Sequence, residues 1–174
     1  MSSPTDPSPT GTATTADERR LLAAIELSRS CPPSPSAFSV GAVIVARDGR
    51  VLATGYSRET GPTAHAEQVA LERLAGAAGP DVARSVPGLP SGPEGITLYS
   101  SLEPCSTRSS FPRSCTELIL EAGIPRVVYA WREPATFVNC QGARVLAGAG
   151  IEVVELERFA PLVREINAHL RGPT

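Results

Sequence analysis

The stretch "SVGAVIVARDGRVLATGY", from Ser39 to Tyr56, sets two short apolar runs on either side of Arg-Asp-Gly-Arg. Asp-Gly tolerates the backbone of a tight turn, so the spacing predicts an antiparallel hairpin with strands at Val40–Ala46 and Val51–Gly55. The chain then changes rhythm. "AHAEQVALERLAGAA" reads as a helix and "ITLYSSLEPC" as a strand ending at Pro104. "CTELILEAGI" reads as a helix stopping near Gly123, "RVVYAW" as a strand and "CQGARVLAGAG" as a helix. "IEVVEL" is then a last strand and "APLVREINAHL" a closing helix. Strands separated by helices need crossover connections, which lay helices over both faces of a partly parallel sheet. The expectation is an α/β protein, a three-layer α/β/α domain around a mixed sheet of about five strands.

Met1 to about Thr15 is rich in Ser, Thr, Pro and Gly and offers little to bury; it reads as a disordered tail before a domain over 16–174. From Ala16 a helix should begin, with Asp17 and Glu18 at its positive end and Leu21, Leu22, Ile25 and Leu27 at roughly helical spacing. Val69, Leu71 and Leu74 should face inward on the next helix. "GPDVARSVPGLPSGPEG", from Gly79 to Gly95, reads as a long surface loop.

Hydrophobic residues make up 41% and charged residues 20%, as in a globular domain. The net charge is −2, which argues against a long nucleic acid as partner. No apolar run is long enough to cross a bilayer, and the N-terminus has neither the basic start nor the apolar stretch of a secretory leader. A cytoplasmic compartment is the expectation. There Cys31, Cys105, Cys115 and Cys140 suit metal binding or free thiols better than disulfides.

Three soft ligands fall at element ends. His65 opens one helix, Cys105 follows a strand, and Cys115 opens the next helix. One imidazole and two thiolates suit a zinc ion with a fourth position open to water. A helix N-terminus favours thiolate over thiol, which helps Cys115. Glu67, two residues after His65, stands where a carboxylate can carry a proton between water and a leaving amine without binding the metal. "HAE" followed by "EPC" matches the pattern of zinc deaminases, except that nine residues rather than two separate the cysteines. Two plainer readings stand beside it: an ordinary helix-surface pair, or a structural zinc site with Cys31 or Cys140 as a fourth ligand.

The chain resembles the cytidine deaminase-like superfamily of zinc deaminases. Within it, the chain is similar to the pyrimidine deaminase of riboflavin biosynthesis, especially the fungal-type branch. The stretches that carry this are "CPPSPSAFSVGAVIV", "TGYSRETGPTAHAEQVAL", "LYSSLEPCSTRSSFPRSC" and "REPATFVNCQGARVLAGAGIEVVEL". Bacterial riboflavin deaminases usually have Asn-Pro where this chain has Ala37-Phe38, and the fungal-type loop tends to carry Gly-Asn where this one has Phe111-Pro112.

The resemblance implies a cytidine deaminase-like fold, zinc on His65, Cys105 and Cys115, and Glu67 as the proton shuttle. It implies a phosphorylated aminopyrimidine substrate of the 2,5-diamino-6-ribitylamino-4-pyrimidinone 5′-phosphate type, and a homodimer. Phe38 then packs on the substrate ring or stays a core aromatic. Arg108 pairs with a phosphate or is a solvated loop charge. Thr136 and Asn139 contact a polyol or phosphate, unless Asn139 caps a helix beginning at Cys140. Cys140 reads as a buried thiol, Trp131 as packing and His169 as a surface residue. Another small nucleobase, nucleoside or nucleotide as substrate, or a zinc-stabilised binding module without catalysis, are the alternatives.

Overall fold

The computed structural model describes residues 11–78, 95–132 and 141–170. Helix α1 spans Thr15–Leu27, strand β1 Gly41–Val45 and β2 Val51–Tyr56, followed by α2 at Ala66–Ala78. Then come β3 at Thr97–Leu102, α3 at Cys115–Glu121, β4 at Arg126–Trp131, α4 at Gly142–Gly148, β5 at Glu152–Glu155 and α5 at Ala160–Ile166. The five strands form one sheet in the order β2-β1-β3-β4-β5. β1 is antiparallel to both β2 and β3, whereas β3, β4 and β5 run parallel. This is the mixed sheet expected. The Asp-Gly turn is where the hairpin reverses, with Gly49 at φ +86°, a left-handed conformation that glycine adopts without cost.

Side chains alternate across the sheet, so each central strand feeds two cores. Ala42, Ile44, Leu98, Val127 and Tyr129 pack with Ala66, Ala70, Ile119 and Leu146 beneath α2, α3 and α4. Val43, Val45, Tyr99, Val128 and Ala130 pack with Leu21, Ala24, Ile25 and Val163 beneath α1 and α5. Hence the three layers. Of the four apolar residues at helical spacing on α1, Leu22 is exposed, and Ala24 takes a buried place instead. Asp17 and Ser28 are buried along with Leu21 and Ile25, and in a helix turning 100° per residue these four centre the inward stripe nearer to position 24 than to 22. Val69 and Leu71 are buried and Leu74 is half-buried, with Ala66 and Ala70 supplying the close contacts.

Ala13 packs against the α1 core, and Thr14 caps α1 in a reciprocal box with Asp17. Residues 1–10 and most of the Gly79–Gly95 loop lie outside the described residues. Gly123, at φ +67°, follows the end of α3 as anticipated.

Asp17 also ties the sheet to α1. It accepts hydrogen bonds from Tyr99 Oη at 2.8 Å and Arg126 Nη1 at 2.7 Å while almost fully buried. Burial pushes its carboxyl up, but the bonds from Arg126, Tyr99 and Thr14 together outweigh it and hold the pKa at about 2. A depressed carboxyl stabilises the fold above its unfolded pKa of about 4 and loses that contribution as the pH falls toward 2. Urea midpoints between pH 6 and pH 2.5 should therefore drop more in the wild type than in Asp17→Asn; equal drops would remove Asp17 from the acid response.

Candidate active site

The site forms at the carboxyl end of β3. His65 immediately precedes α2, and its carbonyl accepts from the Val69 amide at 3.0 Å, so the first helical turn fixes the ring's base. Glu67 lies in that same turn and is 3% exposed. Cys105 leaves β3 after Pro104. Cys115 opens α3 and is wholly buried.

The first turn of α3 has amides without helical partners, and Cys105 takes two of them. The Cys115 amide donates to Cys105 Sγ at 3.3 Å, and the Thr116 amide to the Cys105 carbonyl at 3.1 Å. Ser114 caps the helix in a reciprocal box with Glu117. The long intervening loop thus closes with its two cysteines side by side. Gly142 holds the other flank: a Cβ there would lie 1.8 Å from the Pro104 carbonyl oxygen, so α4 can approach this strand end only through glycine.

His65 Nδ1 is 3.6 Å from Cys105 Sγ and 3.5 Å from Cys115 Sγ. All three ligand atoms lie within 4.8 Å of one another. The Cys115 thiol's hydrogen bond holds Cys105 down at about 4, against the opposing push of burial and with help from His65. Cys115 is pushed well above the ordinary thiol range by Cys105, by burial and by Glu67. One nitrogen and two sulfur donors converging in this way fit zinc, and the arrangement provides three protein ligands, the number of a catalytic centre. Cys31 does not join them. Its thiol donates to the Val40 carbonyl at 3.4 Å and is raised by burial, so it is no fourth ligand. Cys140, like Thr136 and Asn139, lies outside the described residues. The helix that follows starts at Gly142, with Gln141 at the cap position.

Glu67 is fixed at both oxygens. Ser100 Oγ donates to Oε1 at 2.7 Å, and Cys115 Sγ lies 3.3 Å from Oε2. Ser100 belongs to the alternation of β3 that points under α2, so the strand's pleat aims it at the carboxylate. Sequence reasoning missed Ser100, which reads as one more small strand residue.

His65, Glu67 and Cys105 line a cavity of about 520 Å³, a volume suited to a nucleotide-sized ligand. Phe38 lies on its wall and meets Trp131 edge to face at 5.8 Å between ring centres. Arg108 lies on its rim, donating to Gln68 Oε1 at 2.9 Å and to the Thr63 carbonyl, with Phe111 stacked 5.0 Å from its guanidinium. Arg108 is therefore an anchored loop residue rather than a freely solvated charge. Trp131 is a packing residue as expected, flanked also by Arg164. His169 is exposed, with Nε2 3.3 Å from the Ala37 carbonyl.

Residues 14–131 match the family described as the cytidine and deoxycytidylate deaminase zinc-binding region. The chain belongs to this family. Its zinc-binding group is His65, Cys105 and Cys115. It is similar to the diaminohydroxyphosphoribosylamino-pyrimidine deaminase of Schizosaccharomyces pombe, 41% identical over 142 residues that cover 82% of this chain and 32% of that protein. The chain thus spans about a third of that relative's length. Among solved structures it is similar to the Aspergillus oryzae Rib2 deaminase in complex with DARIPP, a C-terminal deletion mutant. There the TM-score is 0.75 at 27% identity, covering 87% of this chain and 90% of that one. A bifunctional deaminase/reductase of Thermotoga maritima superposes with a TM-score of 0.70 at 32% identity, covering 87% of this chain and 39% of that one. The cytidine deaminase-like α/β fold expected from the sequence is the one observed. Among the described residues no helix is long and apolar enough to cross a membrane.

Proposed function

We propose that this chain catalyses the hydrolytic deamination of a phosphorylated diaminopyrimidine in riboflavin biosynthesis, with Glu67 as the proton carrier. The observation that carries the reading is Glu67 itself: a buried carboxylate beside the ligand Cys115, facing a cavity it shares with His65 and Cys105. A structural zinc site or a binding module has no use for such a group. Zinc, when bound, supplies Lewis acidity that brings a water's pKa toward neutrality. Glu67 would accept a proton from the attacking water at a carboxylate oxygen. The water's oxygen joins the ring carbon that bears the amine, the C–N bond breaks, and Glu67 passes the proton to the departing nitrogen, so that water is consumed and ammonia released. Ser100 keeps the carboxylate turned toward the cavity.

Phe38 takes the role of an apolar wall for the ring, and Arg108 that of a phosphate partner reached from the rim. Thr136 and Asn139 are assigned polyol or phosphate contacts on the resemblance alone. The phosphorylated substrate follows from the Aspergillus neighbour and the Schizosaccharomyces relative. A cytoplasmic homodimer completes the reading, on the resemblance alone.

The test is product mass after incubating zinc-loaded protein with 2,5-diamino-6-ribitylamino-4-pyrimidinone 5′-phosphate. Exchange of NH₂ for O raises the mass by about one unit. No change from folded, zinc-loaded protein would refute this substrate; the ribosylamino form, and then bases and nucleosides, would be assayed next.

A further inference from the structure

Phe38 reaches the cavity on a segment with no regular structure, residues 31–40, which also brings Ser36 and Ala37 to the wall. Such a segment stays in place only if its backbone groups find partners elsewhere. Here side chains from other parts of the chain supply them: the Ser57 hydroxyl accepts from the Val40 amide, His169 Nε2 lies 3.3 Å from the Ala37 carbonyl, and Asn167 and Arg58 make the rest.

Asn167, 3% exposed at the end of α5, accepts from the Ser39 amide at 2.7 Å and donates to the Ser39 carbonyl at 3.1 Å. It pairs with Ser39 as a neighbouring strand would, across 128 positions of sequence. Arg58 holds the other side. Its Nε and Nη2 donate to the Pro32 carbonyl at 2.9 and 2.8 Å, its Nη1 to the Phe38 carbonyl at 2.9 Å, and Nη2 also to Ser39 Oγ at 3.2 Å. Arg58 sits at φ +65°, the one non-glycine residue in the left-handed region among the described residues. Glycine would fit that backbone better; the guanidinium is what a glycine lacks.

We infer that Asn167 and Arg58 form a clamp that fixes the 32–39 segment as one wall of the substrate cavity, making both of them positioning residues for ring binding. Neither bonds to Glu67 or the zinc ligands. Phe38 is held with its backbone tied by Arg58 and its ring edge set against Trp131. Loosening the clamp enlarges the cavity on the Phe38 side. It weakens substrate fit and leaves the proton transfer at Glu67 in place. The catalytic consequence rests on the function proposed above; the structural one does not.

The chain has a single tryptophan, Trp131, so its fluorescence reports the wall directly. The variants are Arg58→Gly, which removes the guanidinium and suits the left-handed backbone, and Asn167→Ala. Phe38→Ala serves as the reference for a missing ring, and Arg58→Lys as the conservative test. Arg58→Gly and Asn167→Ala should retain stoichiometric zinc and keep kcat near the wild type. KM for the diaminopyrimidine phosphate should rise about tenfold, the mark of lost ground-state binding. Acrylamide should quench Trp131 more strongly, in the direction of Phe38→Ala, and Arg58→Lys should restore part of both effects. Unchanged quenching and KM in folded Arg58→Gly would overturn the clamp, as would a fall in kcat at constant KM. Should Asn167→Ala fail to fold, Arg58→Gly decides the matter alone. Should the wild type not turn over the substrate, the function fails while the quenching still settles the clamp.

Discussion

Glu67→Gln is expected to reduce turnover roughly 10²–10⁴-fold, the range general acid–base catalysis contributes, with zinc content unchanged. The substitution keeps shape and volume. The carbonyl of the introduced amide can still accept from Ser100 Oγ, now 2.7 Å from Glu67 Oε1. The amide nitrogen then faces Cys115 Sγ as a donor, a contact that suits a ligand thiolate better than a second negative group does. What disappears is the ability to take a proton from water and return it to the leaving nitrogen. Because that transfer belongs to the transition state, kcat and kcat/KM should fall together while KM moves little.

Thermal stability should hold or rise, since an almost fully buried carboxylate is replaced by a neutral group with its hydrogen bond retained. Three readouts on one variant separate the cases: steady-state turnover, bound zinc and the melting temperature. Loss of zinc would show Glu67 to be a ligand or its organiser. Retained turnover would pass the proton carrier's role to another group.

Much of this site was legible because its chemistry is tied to element boundaries. His65 and Glu67 open a helix whose apolar period is plain, and Cys115 opens another; a helix start places a side chain with little ambiguity. What holds the site was less visible. Ser100, Arg58 and Asn167 act singly, through a few hydrogen bonds to groups far away in sequence, and no period or motif marks such a residue. Leu22 shows the same limit on the apolar side. A large side chain one step from the buried face carries the same hydropathy as one on it, and the alanine that fills the place beneath the sheet carries little signal. The separation of Cys105 and Cys115 also hid how they meet. Only the three-dimensional arrangement reveals that α3 offers two amides to the Cys105 segment and closes the loop upon itself.

Cys115→Ala is expected to abolish zinc binding and bring activity to background, with a lower melting temperature than the zinc-loaded wild type. Cys115 is wholly buried, its sulfur 3.5 Å from His65 Nδ1 and 3.3 Å from a Glu67 oxygen, at the heart of the ligand group. Removing it leaves two ligands and a void at the base of α3. Ligand binding adds RT ln(1 + [L]/Kd) to stability, about 4 kcal/mol at a free zinc concentration a thousand times Kd, and the variant forfeits this contribution. Chelation of the wild type provides the matched control: activity and the melting temperature should both fall and return on adding zinc, because the fold is unaltered. In Cys115→Ala neither should return. Affinity for zinc should weaken on acidification, since the proton on the Cys115 thiol, whose pKa stands above the ordinary range, must leave before sulfur binds metal. Metal titration of wild type and Cys115→Ala with a competing chelator, read by zinc content, checks each point. Stoichiometric zinc in Cys115→Ala would mean that His65 and Cys105 recruit another donor, and the three-ligand centre would have to be redrawn.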